Sequence, residues 1–178
     1  PEPILTAAEN GDAVFCTAGD PMISTTHVDL RLRAHERGID TRTVHGTTAA
    51  TAASSLTGLQ NYRFGKATTL PFESSHGGDG VPDSVIETIE ANRQRGLHTL
   101  VFLDIKVGDD REDYMTGGEA ASLLATDWDE TTPAVVVARA GSPEPLVRGD
   151  RLAELAGTDF GDPLHLLVIS GKLHYVER

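Results

Sequence analysis

Three short apolar runs constrain the fold of this chain more than any other feature. Residues 98–105 read His-Thr-Leu-Val-Phe-Leu-Asp-Ile, nearly without a polar break. Residues 134–138 are Ala-Val-Val-Val-Ala, and residues 163–169 are Pro-Leu-His-Leu-Leu-Val-Ile. Runs of this length, rich in β-branched residues and bounded by turn formers, predict buried strands.

The residues around these runs predict a mixed architecture. Thr116-Gly-Gly-Glu119 is a capping box opening a helix over 120–125, and Ser84-x-x-Glu87 is a second, opening a helix to Gly96. Val85, Ile86 and Ile89 share one face of that helix, and Arg93 and Arg95 suit its C-terminal end. Thr68 to Phe72 predicts a short strand that Pro71 confines to an edge. Residues 58–65 read as a linker with anchoring aromatics. Residues 73–80 read as a polar loop and 106–113 as a charged one. Asp150 is placed to cap a short helix ending at Gly157.

The first sixty residues have a different rhythm. A strand is predicted over 12–17, ending in the turn Gly19-Asp20-Pro21. A helix follows over 25–38, with Thr25 or Thr26 as cap, Asp29 and Arg33 four apart, and Gly38 as its stop. A second strand is predicted over 41–45, after which Gly46-Thr47-Thr48 opens a small-residue helix to about 56. Strand, turn and helix in alternation predict a parallel α/β layer. Ligands of such layers bind outside the carboxyl ends of the strands. The loops at 19–21 and 46–48 are therefore the first candidates for a site. The expected class is α/β, with 1–61 the remnant of a parallel α/β domain and 62–178 a mixed α+β domain, and a cleft between them.

Charge narrows the partners. Lys plus Arg number 15 against 27 Asp plus Glu, a net charge of −12. That excludes a nucleic-acid binder, which needs a basic surface. Only three of the bases are lysine, and many carboxylates with few lysines predict a surface hydrated in concentrated salt. The single cysteine, Cys16, allows no internal disulfide and no Cys-rich zinc site. It falls within a predicted strand and is expected to be a small core residue. No histidine pair has the spacing of a helical zinc motif, so no metal is expected. His76-Gly-Gly-Asp79 is read as a loop, and Asp109-Asp110 with Glu112-Asp113 as solvated acid rather than a cation site. No apolar run reaches membrane-spanning length, and Pro1-Glu2-Pro3 is neither a start nor a leader sequence.

Several strings carry more than composition. They are Gly19-Asp20-Pro21-Met22-Ile23, then Asn61-Tyr62-Arg63-Phe64-Gly65, then Asn92-Arg93-Gln94-Arg95-Gly96-Leu97-His98. Leu103-Asp104-Ile105-Lys106 and Gly161-Asp162-Pro163-Leu164-His165 complete the set. In this order and spacing they resemble the diphthine synthases, methyltransferases of diphthamide biosynthesis with the tetrapyrrole methylase fold. The likeness runs from about residue 12 to the end, and the composition is that expected of a haloarchaeal member. That family has a first strand and glycine-rich loop ahead of its Gly-Asp-Pro turn, so the chain is expected to be an N-terminally truncated form.

The resemblance implies a methyl donor, S-adenosylmethionine, held without metal between the two domains. The contacts it implies are Asp20, Ile23, Thr48, Ala49, Leu103, Ala140 and His165. A carboxylate such as Asp20 accepts hydrogen bonds from a ribose or amine. Ile23, Leu103 and Ala140 offer packing to an adenine. Amides at the helix start near Thr48 favour polar groups. The implied substrate is translation elongation factor 2, methylated on the amino group of a carboxy-aminopropyl-modified histidine. A cytoplasmic homodimer is implied as well. No residue stands out as a general base. Two other readings remain open: a methylase of the same fold acting on a small molecule, and a non-catalytic binding or dimerisation module.

Overall fold

The protein is described from a computed structural model, in which residues 1–108 and 112–177 are described. By its contacts it divides into two compact units, Pro1–Thr48 and Ala49–Arg178.

The first unit holds two helices, α1 (Glu2–Ala8) and α2 (Val28–Glu36), joined by turns and loops. Leu5 and Ala34 are its buried apolar residues. Arg37 ties the helices together, donating to Glu2 at 2.6 Å and Glu9 at 3.1 Å. The expected Asp29–Arg33 pair forms at 2.8 Å. Helix α2 ends as its sequence predicts. Gly38 takes φ +70°, its amide reaches the His35 carbonyl, and the Ile39 amide reaches the Ala34 carbonyl. The start differs, because His27 rather than Thr25 or Thr26 occupies the cap position.

The predicted strands over 12–17 and 41–45 are not formed. Both segments are irregular, with Val14 at 82% and Val44 at 78% exposure. A strand is stable only when a neighbour takes its hydrogen bonds, and no ladder runs along either segment among the described residues. Cys16 is accordingly exposed rather than a core residue.

The second unit opens with α3 (Ala49–Thr57) and a 3-10 turn at Asn61–Arg63. Then come β1 (Thr68–Leu70), the short α4 (Glu73–His76), α5 (Asp83–Gln94) and β2 (Thr99–Leu103). A small hairpin, β3 (Ile105–Val107) with β4 (Glu112–Tyr114), leads into α6 (Gly117–Leu124). A π-helical turn over Ala125–Asp129 precedes β5 (Pro133–Ala138) and β6 (Leu146–Arg151). Helix α7 (Leu152–Leu155), β7 (His165–Ile169) and a 3-10 turn at Tyr175–Glu177 complete it.

The five-stranded sheet has the order β1-β2-β7-β5-β6, parallel only between β1 and β2. Its three central strands are the three apolar runs, and strand periodicity explains why they carry so few polar residues. Val101, Leu103, Val136, Leu167 and Ile169 face one side, against α5, α6 and α7. Leu100, Val137, Leu166 and Val168 face the other, against Ala53 of α3 and Leu59. Both faces are covered, so nearly every position is apolar, Thr99 and His165 being the buried polar exceptions. This packing also explains why the second unit begins at Ala49, ahead of the expected boundary after residue 61.

Local signals fare unevenly. Thr116 and Glu119 form the predicted capping box at α6. Ser84 and Glu87 do not cap, because α5 starts two residues earlier, at Asp83 behind Pro82. Asp150 caps nothing, lying instead at the end of β6. The expected loop over 106–113 contains the hairpin strands β3 and β4, and the loop over 73–80 contains α4.

Candidate active site

The two loops singled out by strand-end reasoning meet inside the first unit. Gly19 turns the chain at φ +83°. A Cβ added to Gly46 would lie 2.2 Å from the Gly19 carbonyl oxygen, so only glycine permits this approach. Asp20 fastens the junction. Its Oδ1 accepts from the Met22 amide at 2.8 Å. Its Oδ2 accepts from Nδ1 of His45 at 2.8 Å and from the Gly46 amide at 3.3 Å.

The Asp20 side chain is 7% exposed and that of His45 is 75% exposed. The Met22 amide holds the Asp20 carboxyl below its ordinary range; burial opposes this, and His45 and Gly46 add to it. Ile23 lies three residues on, its amide reaching the Asp20 carbonyl, with half of its surface exposed. Thr48 closes the unit, half-buried, and Ala49 is the exposed first residue of α3 in the second unit.

In the second unit the sheet register gathers the remaining candidates. Phe102 pairs with Leu166, and His165 with Ala138. Leu103, Ala140 and His165 therefore share one end of the sheet. Leu103 is buried, and Ala140 is half-buried against the α3 side of the core. Asp104, next to Leu103, accepts from the Phe72 amide at 2.9 Å, the Ser75 hydroxyl at 2.6 Å and the Ile105 amide at 2.9 Å. Burial pushes its carboxyl up, but these donors and Lys106 outweigh burial and hold it low. Arg139 takes φ +52° and donates to the Phe160 and Asp162 carbonyls, each at 2.9 Å.

The His165 ring is engaged on both nitrogens. The Gly117 amide donates to Nδ1 at 3.0 Å, so that nitrogen is bare. Nε2 then carries the proton and donates to the Asp162 carbonyl at 2.9 Å. The ring pins the start of α6 to β7.

Other strings behind the resemblance are structural in the same way. Asn92 clasps both backbone groups of Lys66 and donates to Thr99. Arg63 donates to the Gly96 and Lys172 carbonyls. His98 is fully buried between the Gly171 amide and Glu177.

Sequence reasoning missed His45, because a lone histidine before a glycine has no motif. The available signal was position: His45 ends the predicted strand over 41–45, directly ahead of the flagged Gly46 loop, while Asp20 sits in the other flagged loop. Asp109 and Asp110 lie outside the described residues. Among the described residues no group of three His, Cys, Asp or Glu side chains is placed to hold a metal.

Residues 3–156 match the family model of the Tetrapyrrole (Corrin/Porphyrin) Methylases. The whole chain aligns at 69% identity with diphthine synthase of Halobacterium salinarum, spanning 70% of that protein. Diphthine synthase of Halorubrum lacusprofundi is 68% identical over 99% of this chain and 69% of its own. A crystal structure of diphthine synthase superposes on 99% of the chain with a TM-score of 0.85 at 38% identity; the chain covers 66% of its length.

Proposed function

The chain belongs to the diphthine synthases, methyltransferases of the tetrapyrrole methylase family, and we propose on that premise that it methylates elongation factor 2. The donor is S-adenosylmethionine and the acceptor is the amino group of the carboxy-aminopropyl-modified histidine. The observation that carries this reading is the 69% identity across the whole chain with a diphthine synthase. The meeting of the Asp20 and Gly46–Thr48 loops supports it from geometry.

The residues present fit such a donor. When bound, it supplies a methyl group on a sulfonium cation. Asp20, ionised and fixed by two amides, offers a carboxylate to its polar or cationic parts. Ile23 offers apolar surface that is half exposed. Amides at the first turn of α3, near Thr48 and Ala49, suit its polar groups. Leu103 and Ala140 offer packing at the sheet end. His165 shapes that end through its grip on Gly117 rather than through a free ring nitrogen. Methyl transfer needs alignment of the donor and exclusion of water, and the anchored Asp20 carboxylate supplies a fixed contact for the first.

A homodimer in the cytoplasm accompanies this reading, and the acidic surface accords with the haloarchaeal relatives. Among the described residues no helix is long and apolar enough to cross a membrane. Incubation with labelled donor and the modified factor tests the proposal. Label on the factor is expected; a folded protein that leaves it unlabelled would contradict the proposal. Calorimetric binding of the donor by this chain separates an enzyme from a pure dimerisation module.

A further inference from the structure

Methylating an amine raises a proton problem that the donor contacts do not address. An alkyl amine near neutral pH is an ammonium, and its lone pair must be freed before it can attack carbon.

We propose that His45 is the catalytic base of the reaction, oriented by Asp20; this rests on the methyltransferase reading above. Oδ2 of Asp20 accepts from Nδ1 of His45 at 2.8 Å. The neutral ring therefore carries its proton on Nδ1 and its lone pair on Nε2. The carboxylate is fixed independently by the Met22 amide at 2.8 Å and the Gly46 amide at 3.3 Å. It is 7% exposed, whereas the imidazole is 75% exposed. A buried, anchored carboxylate behind an exposed imidazole differs from a surface ion pair, whose partners both swing freely. It orients the ring and stabilises the imidazolium that forms when Nε2 takes a proton. Among the described residues, Asp20 is the charged group in contact with this ring.

The step balances. Nε2 of His45 takes one proton from the substrate ammonium. The freed lone pair forms the N–C bond to the sulfonium methyl as the C–S bond breaks, its electron pair staying on sulfur. The imidazolium then releases its proton to water. One ammonium and one sulfonium give one methylated ammonium, one thioether and one proton. Each further methyl repeats the cycle, so the base must discharge between rounds, and the exposure of the ring allows that.

His45→Gln and His45→Ala in the full chain test this, with the modified factor as substrate. The readouts are kcat against pH, donor affinity by calorimetry, and rescue by added imidazole. Donor affinity is expected to change less than about 2-fold while kcat falls about 10²- to 10⁴-fold. The rise of rate with pH that the proposal expects of the wild type should vanish, and imidazole should restore rate to His45→Ala. A labelled factor with unchanged rate and pH profile in His45→Gln would overturn the assignment alone. Parallel loss of donor binding and rate, without rescue, would overturn it in favour of a loop clamp. A wild type that leaves the factor unlabelled would overturn the substrate reading and this assignment with it.

Discussion

Nε2 of His98 lies 3.2 Å from Oε1 of Glu177, and neither side chain has any exposed surface. The Gly171 amide donates to the other ring nitrogen at 3.0 Å, so Nε2 carries the proton toward the carboxylate. Amides of Gln60 and His174 also donate to Glu177, at 2.9 and 2.7 Å. The last described residue is thus bound to the segments on either side of the sheet's first strand.

This pairing makes stability pH-dependent. Burial pushes the Glu177 carboxyl up, but the Gln60 and His174 amides and His98 bring it down from 4.5 to about 2. A lowered carboxyl stabilises the fold above its unfolded value, and the contribution disappears as pH falls through about 2. Chemical denaturation between pH 5 and pH 2 should show a steeper loss in the wild type than in Glu177→Gln. Equal slopes would remove Glu177 from the account. Glu177→Ala at neutral pH should cost about 1–3 kcal/mol, because the buried His98 N–H loses its acceptor.

His165→Leu separates an anchoring ring from a ligand. Removing Nδ1 leaves the buried Gly117 amide without its acceptor, which costs about 1–3 kcal/mol. Denaturation midpoints should fall, with donor affinity affected less than stability. Unchanged stability with a large loss of donor binding would make the ring a direct contact.

Helix α6 sits too close to its neighbours for a side chain at its second residue. A Cβ on Gly118 would lie 2.3 Å from the Thr158 carbonyl oxygen, backbone that cannot yield cheaply. Gly118→Ala should destabilise by about 1–3 kcal/mol. Gly141→Ala, where a Cβ would meet nothing within 4 Å, should stay within about 0.5 kcal/mol of wild type. Thermal melts of both variants check this.

The sequence was most legible where one physical demand acts alone. Strands β2, β5 and β7 stand out because helices or turns cover both faces, so nearly every position is apolar. Thr116 and Glu119 are equally plain, since a capping box is local. Strand β6 was invisible: it pairs along one edge only and carries Arg148, Asp150 and Arg151, so polar residues cost it nothing. Residues 12–17 and 41–45 mislead in the opposite direction, since apolar character predicts a strand but cannot supply its partner. Of the candidate site, the Gly-Asp-Pro turn and the Gly46 loop could be flagged from strand-end reasoning. That Asp20 would hold His45 could not, because the two residues meet only through folding.

The central claim is methyl transfer to a modified histidine, and intact mass measurement of elongation factor 2 tests it most directly. The chain is incubated with S-adenosylmethionine, the factor carrying the carboxy-aminopropyl histidine, and precursor corrins in the same vessel. The account predicts a mass gain of whole methyl groups on the factor, confined to the modified histidine, with the corrins unchanged. Methylated corrins with an unchanged factor would contradict it.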